Sequence, residues 1–183
     1  NSGGELGGAD LEPAATWGCV HFDAIPARPR VKAGLDVAPH PLSDGGKNAN
    51  CCKALRYALH LIKDGAHIID VGGESTRPGA SKVSRQEELR RVLPVVKELT
   101  QRGVCVSVDT RHAEVAASCV KEGAAIINDI SGFRDPKMVK VAQNCDAGLI
   151  VMHMKGEPSS MQQVAVYSDV VAEVSNYLYG QAT

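Results

Sequence analysis

The sequence predicts an α/β fold in which a parallel β-sheet is covered on its outer side by helices. Short apolar runs without polar alternation are typical of strands buried on both faces. Amphipathic segments lie between these runs, and strands alternating with helices favour a parallel sheet. An internal echo supports this prediction: residues 63–70 (KDGAHIID) and 121–128 (KEGAAIIN) each give a helix end, a glycine, a buried strand and a polar tip.

The bulk composition predicts one well-buried domain with a small-molecule partner. The chain has 183 residues, 44% of them hydrophobic, and a net charge of −1. Residues 1–30 are rich in Gly, Ala and Pro and show no period, so we predict a flexible arm or linker there and a domain at 31–183. A near-neutral charge argues against nucleic acid as a partner. No apolar run approaches the roughly 18 residues that a membrane span requires.

The cysteines and the first residues bear on the compartment. Six cysteines form no C-x-x-C pair, which favours free thiols in a reducing compartment over a disulfide framework. The first residues lack the basic and apolar regions of a secretory signal. We therefore expect a cytoplasmic protein, or an organellar one if a targeting segment was lost.

The first predicted unit runs from a strand at 31–37 to a helix. The prolines and the Gly-Gly pair of residues 38–46 exclude both helix and central strand, so this segment is predicted to be a loop. Asn48 or Asn50 is predicted to cap the following helix, because Asn side chains accept from free backbone N–H groups at helix starts. Gly65 is predicted to end this helix.

The segment 68–79 (IIDVGGESTRPG) is the organising stretch of the chain. It begins as a buried strand and passes into a polar loop after Asp70. The hydroxyl of Thr76 and the five-donor guanidinium of Arg77 suit a phosphate-bearing ligand. We therefore predict a binding loop here.

The later segments repeat the pattern of strand and helix. A capping box at 84–87 (SRQE) opens a helix that contains Pro94, which is predicted to kink it, and that ends at Gly103. The remaining strands are predicted at 104–108, 126–127 and 147–152, and the remaining helices at 113–122, from Asp135 onward, and at 166–178.

Polar residues stand at the carboxyl ends of the five predicted strands. They are Asp36, Asp70, Asp109, Asn128 and His153. In a β/α barrel these ends converge on one face, where the loops build the active site, so the five tips predict a shared pocket. A doubly wound open sheet would gather ligands at the same ends and stays an alternative.

Five stretches together resemble the dihydropteroate synthase family, whose enzymes join a pterin diphosphate to p-aminobenzoate. They cover about residues 32–180, and the second and fourth are the most specific. The stretches are LSDGG at 42–46, IIDVGGESTRPG at 68–79, SVDT at 107–110, IINDI at 126–130, and VMHMKG at 151–156 followed by Met161 and Gln162.

The resemblance implies a (β/α)8 TIM-barrel fold and a set of ligand contacts. Thr76 would contact the diphosphate, and Arg77 would lie in the loop that shapes the p-aminobenzoate site. Asp109 and Asn128 would hold the pterin, since a carboxylate accepts from its amino and ring N–H groups and an amide both donates and accepts. Asp36 would help bind Mg2+. Asp70 and His153 are predicted to line the site. Alternatively, His153 could support the lining residues without contacting the ligand itself.

The chain departs from the family pattern in two respects. The family's first loop usually reads NVTPDSFSDGG, whereas residues 36–46 read DVAPHPLSDGG, so that Asp36 replaces Asn and the segment His40, Pro41 and Leu42 lacks the loop acid and the aromatic ring. Asp36 would keep or strengthen a Mg2+ contact, and the other changes bear on the p-aminobenzoate site. In addition, five βα units are found where a barrel needs eight, at about 250 residues. We therefore expect a truncated synthase that carries half of its pterin site.

Two other functions remain open from the sequence. One is a non-catalytic pterin-binding fragment, and the other is a methyltetrahydrofolate-dependent methyltransferase domain, which also binds a pterin through Asp and Asn at strand ends. The unpaired edges of a five-stranded sheet favour pairing with another copy unless they are covered, so a homodimer is one expected form.

Overall fold

Five βα units follow one another along the chain, as the sequence predicts. The computed structural model describes residues 31–37, 47–75, 82–156 and 165–182. The predicted arm at 1–30 and the altered first loop at 38–46 lie outside the described residues. The elements are β1 Lys32–Asp36, α1 Lys47–Lys63, β2 Ile68–Gly72, α2 Arg85–Gln101, β3 Val106–Asp109, α3 Ala113–Lys121, β4 Ile126–Asp129, α4 Pro136–Gln143, β5 Gly148–Val151 and α5 Val170–Ala182.

The strands form one parallel sheet in the order β1-β2-β3-β4-β5. A doubly wound sheet reverses its strand order at a switch point, whereas here each strand pairs with the next one in the chain. The doubly wound alternative is therefore wrong. The fold is that of five consecutive units of a TIM-barrel type.

The two faces of the strands separate the apolar core from the polar site. Because side chains alternate along a strand, Ile69 and Val71 of β2 face the helices, while Asp70 between them faces the other way. The fully buried side chains at the sheet–helix interface include Ile69, Val71, Val106, Val108 and Ile127 from the strands, and Val92, Val95, Val96 and Leu99 from α2. Burying one such side chain stabilises the fold by about 1.5 to 3 kcal/mol, so the rigid part of the fold lies behind the site.

The helix starts follow their caps more closely than their apolar patterns. Ser84 accepts a hydrogen bond from the Glu87 backbone N–H at 3.3 Å, which confirms one half of the predicted capping box. The Glu87 carboxylate accepts from Arg90 and Arg91, and α2 continues through Pro94. The capping prediction for α1 was wrong, because the helix already begins at Lys47 and includes Asn48 and Asn50. Several polar residues there can precede or join a helix, so local sequence does not select one.

The start of the last helix was also misplaced. The structure begins α5 at Val170 and not at residue 166. The side chain of Asp169 accepts from the Ala172 backbone N–H at 3.0 Å, and its carbonyl accepts from the Glu173 N–H at 2.9 Å. Asp169 therefore caps the helix, a stronger start signal than the apolar spacing. None of the described helices is long and apolar enough to cross a membrane.

Candidate active site

A cleft of about 200 Å3 opens at the carboxyl ends of β1, β2 and β3. The register aligns Asp36 with Gly72, and Gly72 with Asp109, so the ends of three strands meet at one level. This is the face on which β/α barrels build their active sites. The residues that line the cleft are Gly34, Leu35, Asp36, Asp70, Gly72, Glu74, Ser75 and Asp109.

Asp70 forms the floor of the site through two hydrogen bonds to one of its oxygens. Its Oδ2 accepts from Lys32 Nζ at 2.7 Å and from Asn128 Nδ2 at 3.0 Å. The register places Ser107 of β3 beside Asp70, and this small residue leaves room for Asp70 and Asn128 to meet across β3. Asp70 is 8% exposed, and its Oδ1 is buried without a hydrogen-bond partner among the described residues. A buried unpaired acceptor costs about 1 to 3 kcal/mol, so Asp70 is suited to a ligand N–H donor.

Asp109 carries the most perturbed carboxyl group of the cleft. Burial, reinforced by the negative charges of Asp70, Glu88 and Asp129, raises the pKa of Asp109 to about 7, although Lys32 acts in the opposite direction. A carboxyl group near neutral pKa within a cleft is a common sign of a functional site. A ligand that donates hydrogen bonds to Asp109 would favour its ionised form.

Asn128 adds an acceptor beside Asp109. The register pairs it with Asp109 on the neighbouring strand. Its amide nitrogen donates to Asp70, and among the described residues its carboxamide oxygen accepts no hydrogen bond. Together with Asp70 and Asp109 it presents acceptors to whatever enters the site. A ligand with several N–H donors on one edge would complement this set.

The loop after β2 is held by residues that are distant in the sequence. Arg91 Nη1 donates to the Gly73 carbonyl at 2.9 Å. A Cβ at Gly73 would lie 2.9 Å from Glu88 Cγ, so glycine is required for this close approach. Glu74 accepts two bonds from Arg111, at 2.9 and 3.0 Å, and one from the Val83 backbone N–H at 3.1 Å. Glu74 therefore joins both ends of the segment that contains the predicted phosphate-binding residues.

The charged partners of this loop are partly buried. Burial raises the pKa of Glu74, but its hydrogen bonds from Arg111 and Val83 outweigh burial and lower the pKa overall. Glu88, only 1% exposed, lies 2.5 Å from His112 Nδ1 at the start of α3. The Glu74–Arg111 pair connects the loop after β2 to the loop after β3, and the Glu88–His112 pair connects α2 to the start of α3.

The loop after β4 is held by its own residues. Asp129 is fully buried and accepts from the Ser131 backbone N–H at 2.7 Å, from the Ser131 hydroxyl at 2.9 Å and from the Phe133 N–H at 2.9 Å. Gly132 and Phe133 adopt positive φ values of 69° and 56°. This conformation is strained for Phe133, and the Asp129 bonds compensate for it.

The structure brings most of the predicted site residues together. Asp36, Asp70 and Asp109 line one cleft, and Asn128 contacts Asp70. His153 lies two residues beyond β5, with its ring in a T-shaped contact with Tyr177 at 4.9 Å and 5.9 Å from the Tyr167 ring. Its role in lining the site stays a prediction. Thr76 and Arg77 lie outside the described residues.

Sequence reasoning missed the residues that support the site. Because side chains alternate along a strand, Lys32 lies on the same face of β1 as Asp36. An ionisable residue within a predicted buried strand was the sequence signal that would have identified Lys32. Glu74 and Arg111 are 37 residues apart, and Glu88 and His112 are 24 apart. No local pattern predicts such pairs.

Comparisons with known proteins agree with this geometry. The sequence profile of the family described as pterin binding enzyme matches residues 33–183. The dihydropteroate synthase of Escherichia coli strain K12 is 46% identical over 156 residues, which are 85% of this chain and 55% of that protein. The chain thus spans about half the length of the curated relatives it matches.

Solved structures give the same result for the fold. The Yersinia pestis dihydropteroate synthase, determined with a sulfonamide drug complex, matches with a TM-score of 0.76 and 42% identity over 84% of this chain and 56% of that one. The Burkholderia cenocepacia dihydropteroate synthase complexed with 7,8-dihydropteroate matches with a TM-score of 0.73 and 40% identity over 85% and 52% of the two chains. By its sequence profile, its strand order and the acceptors at its strand ends, the chain belongs to the family of pterin-binding enzymes.

Proposed function

We propose that this protein acts as a dihydropteroate synthase, condensing 6-hydroxymethyl-7,8-dihydropterin diphosphate with p-aminobenzoate to give dihydropteroate and diphosphate. The observation that carries the proposal is the convergence of Asp70, Asp109 and Asn128 in and beside one cleft. The similarity to synthases over 85% of the chain supports it and favours this reaction over the methyltransferase alternative. A homodimer and a cytoplasmic location remain predictions from the sequence.

The hydrogen-bond acceptors Asp109 and Asn128 would bind the N–H donors of the pterin ring. The ionised carboxylate of Asp109 would accept from the exocyclic amino group and an adjacent ring N–H, and the Asn128 oxygen would accept a further N–H. Leaving such donors unpaired would cost about 1 to 3 kcal/mol each, so the same residues would reject rings that lack them.

The reaction would break one bond and form another at the hydroxymethyl carbon. The carbon–oxygen bond to diphosphate breaks, the p-aminobenzoate nitrogen bonds to the same carbon, and that nitrogen loses one proton. Thr76 and Arg77 would contact the diphosphate and shape the p-aminobenzoate site, and Glu74 would hold the base of their segment through its bonds to Arg111 and Val83. Fixed positions of both reactants lower the barrier by removing the entropy of their encounter.

Asp36 is the described residue that fits a Mg2+ contact. It ends β1 at the rim of the cleft, where its side chain is exposed, and no group of three His, Cys, Asp or Glu side chains placed to hold a metal occurs in the described part of the chain. Mg2+ commonly uses one or two carboxylates together with substrate phosphates and water, so a single rim carboxylate suits it. When bound with substrate, Mg2+ would neutralise charge on the departing diphosphate.

The proposal is tested by calorimetric titration with the dihydropterin diphosphate, with and without Mg2+, across pH 5 to 9. Because protonation removes the acceptor charge of Asp109, whose pKa is about 7, we expect affinity to fall as the pH is lowered through about 7. Asp109→Asn should lose at least about tenfold in affinity at pH 8, together with the pH dependence. Asp146→Asn, at an exposed position before β5, is the matched control and should bind normally.

Turnover is measured separately, as dihydropteroate formed from the diphosphate and p-aminobenzoate. Formation of product that requires both substrates would support the synthase assignment. Pterin binding without product would favour the non-catalytic pterin-binding alternative. A folded protein that binds no pterin at pH 8 would contradict the proposal.

A further inference from the structure

Lys32 brings a positive charge to the floor of an acidic cleft. It lies in β1, and its side chain is 35% exposed. The register sets Lys32 opposite Ile68 and Gly34 opposite Asp70, so the lysine side chain extends one step toward the carboxyl end to place Nζ 2.7 Å from Asp70 Oδ2. Among the described residues, Lys32 is the cation that contacts Asp70.

Asp70 needs a donor of this kind because it is nearly buried. A buried carboxylate without a paired charge is strongly unfavourable, and removing one partner of such a pair is more disruptive than removing a surface charge. Of the other acidic residues that line the cleft, Glu74 has its own partner in Arg111, and the charge of Lys32 also acts on Asp109, where it lowers the pKa. The hydrogen bond of Lys32 in the described part of the cleft goes to Asp70.

The Lys32–Asp70 pair determines which atom of Asn128 faces the site. Asp70 Oδ2 accepts from both Lys32 and the Asn128 nitrogen. A flipped Asn128 amide would place its oxygen against this carboxylate, and two acceptors repel each other. The amide is thus held with its nitrogen toward Asp70 and its oxygen free for a ligand.

We propose that Lys32 is a positioning residue for heterocycle recognition, which acts through Asp70 to hold the Asn128 carboxamide with its oxygen toward the ligand. The ligand class is a planar heterocycle with several N–H donors on one edge, since Asp70 Oδ1, Asp109 and the Asn128 oxygen are all acceptors. This inference rests on the proposed pterin site for the identity of the ligand. The orientation of Asn128 itself is a property of the ligand-free protein.

The test compares variants of Lys32 that keep or remove its charge. Lys32→Met and Lys32→Gln remove the charge at similar length, and Lys32→Arg retains it. Lys53→Met, at an exposed position of α1, is the matched control. Urea unfolding first establishes that each variant is folded. Two neutral variants are used so that, if one of them does not fold, the other still tests the effect of removing the charge.

Two measurements are then made on each folded variant. The first is the NMR resonance of the Asn128 side-chain amide in the ligand-free protein, which reports its hydrogen bond to Asp70. The second is the affinity for 6-hydroxymethyl-7,8-dihydropterin by calorimetry. We expect Lys32→Met and Lys32→Gln to shift the amide resonance and to weaken binding by about tenfold or more, Lys32→Arg to bind within about threefold of the native protein, and Lys53→Met to be unchanged.

The outcomes separate this inference from the proposed function. Unchanged Asn128 resonances and unchanged affinity in the folded neutral variants would overturn the role of Lys32. Weaker binding with the amide resonance unshifted would also overturn it, whether or not Lys32→Arg restores affinity, because Lys32 would then act through packing or through its charge on Asp109. If the native protein binds no pterin, the proposed function fails, and the amide resonances alone decide the inference.

Discussion

The β2 and β4 units are built alike up to their polar tips and differ in the loops that follow. In both units a glycine with positive φ ends the preceding helix, Gly65 at 103° and Gly123 at 97°. Both strands then bury their second isoleucine, Ile69 and Ile127, and continue with Asp70 and Asn128, which bond to each other across β3 at 3.0 Å. The repeated sequence thus produces the two halves of one contact.

The loops differ in where their support comes from. The loop after β2 depends on Arg91 and Arg111, from α2 and the segment after β3, whereas the loop after β4 depends on Asp129 within the same turn. Local bonds form as soon as the turn forms, while long-range bonds require the neighbouring units to be in place. The β4 loop is therefore stabilised within its own turn, whereas Gly73 and Glu74 of the β2 loop depend on contacts with neighbouring units.

The largest expected effect comes from breaking the local support. Asp129→Ala removes the acceptor of two backbone N–H groups and one hydroxyl while Phe133 keeps its strained conformation. We expect the free energy of unfolding to fall by about 3 to 5 kcal/mol, measured by urea denaturation. Asp146→Ala, at an exposed position, is the control and should change it by less than about 0.5 kcal/mol. An Asp129→Ala loss no larger than that of the control would contradict the role of Asp129.

Breaking the long-range support should cost less stability and show a pH dependence. Glu74→Gln retains the shape but loses the charged pair with Arg111, whose side chain is 31% exposed, so we expect a loss of about 1 to 2 kcal/mol at pH 7. The folded protein lowers the pKa of Glu74 from 4.5. The stabilisation is therefore present above pH 4.5 and is lost as the pH falls through the lower folded-state value, where the variant and the native protein should converge.

The control for this pair is Glu98→Gln, which removes an exposed ion pair between Glu98 of α2 and Arg102, the residue that follows the helix. Exposed pairs contribute about 0 to 1 kcal/mol, so its loss should be the smaller of the two. A difference between Glu74→Gln and the native protein that persists unchanged at pH 3 would exclude the charged pair as its cause.

The smallest expected effect concerns the glycines that end the helices before β2 and β4. Gly65→Ala and Gly123→Ala both place a side chain at positive φ, which costs about 1 kcal/mol. A Cβ at Gly65 meets nothing within 4 Å, whereas one at Gly123 would lie 3.3 Å from Thr100 Cβ. We expect Gly123→Ala to be the more destabilising by several tenths of a kcal/mol, as measured by urea unfolding. Equal losses would mean that Thr100 moves aside freely.

The sequence predicted the fold well because each signal was local. Apolar runs after Gly65, Gly103 and Gly123 predicted strands, and the structure confirms them. The start of α5 was misplaced because its apolar spacing extends before the Asp169 cap. Helix caps compete over a few residues, and packing decides between them.

Only part of the site was predicted. The acceptor residues near the strand ends could be recognised, but the residues that bind them are distant in the sequence and could not. Asp70, Asp109 and Asn128 lie within two residues of the carboxyl ends of recognisable strands, so their convergence could be inferred. The pairs Lys32–Asp70 and Glu74–Arg111 span 38 and 37 residues, and they arise from the register of the sheet and from the packing of loops. Such contacts follow from the assembled fold and not from any one segment.

Gly132 couples two parts of the protein that the sequence treats as separate. A Cβ there would lie 2.5 Å from the Tyr177 hydroxyl oxygen of α5 and 2.7 Å from the Met152 carbonyl oxygen after β5. One hydrogen atom in place of a methyl group thus lets the β4 loop, the end of β5 and the last helix occupy the same small space. A designer who replaces this glycine would have to redesign all three together, so the loop and the helix cannot be exchanged as independent modules.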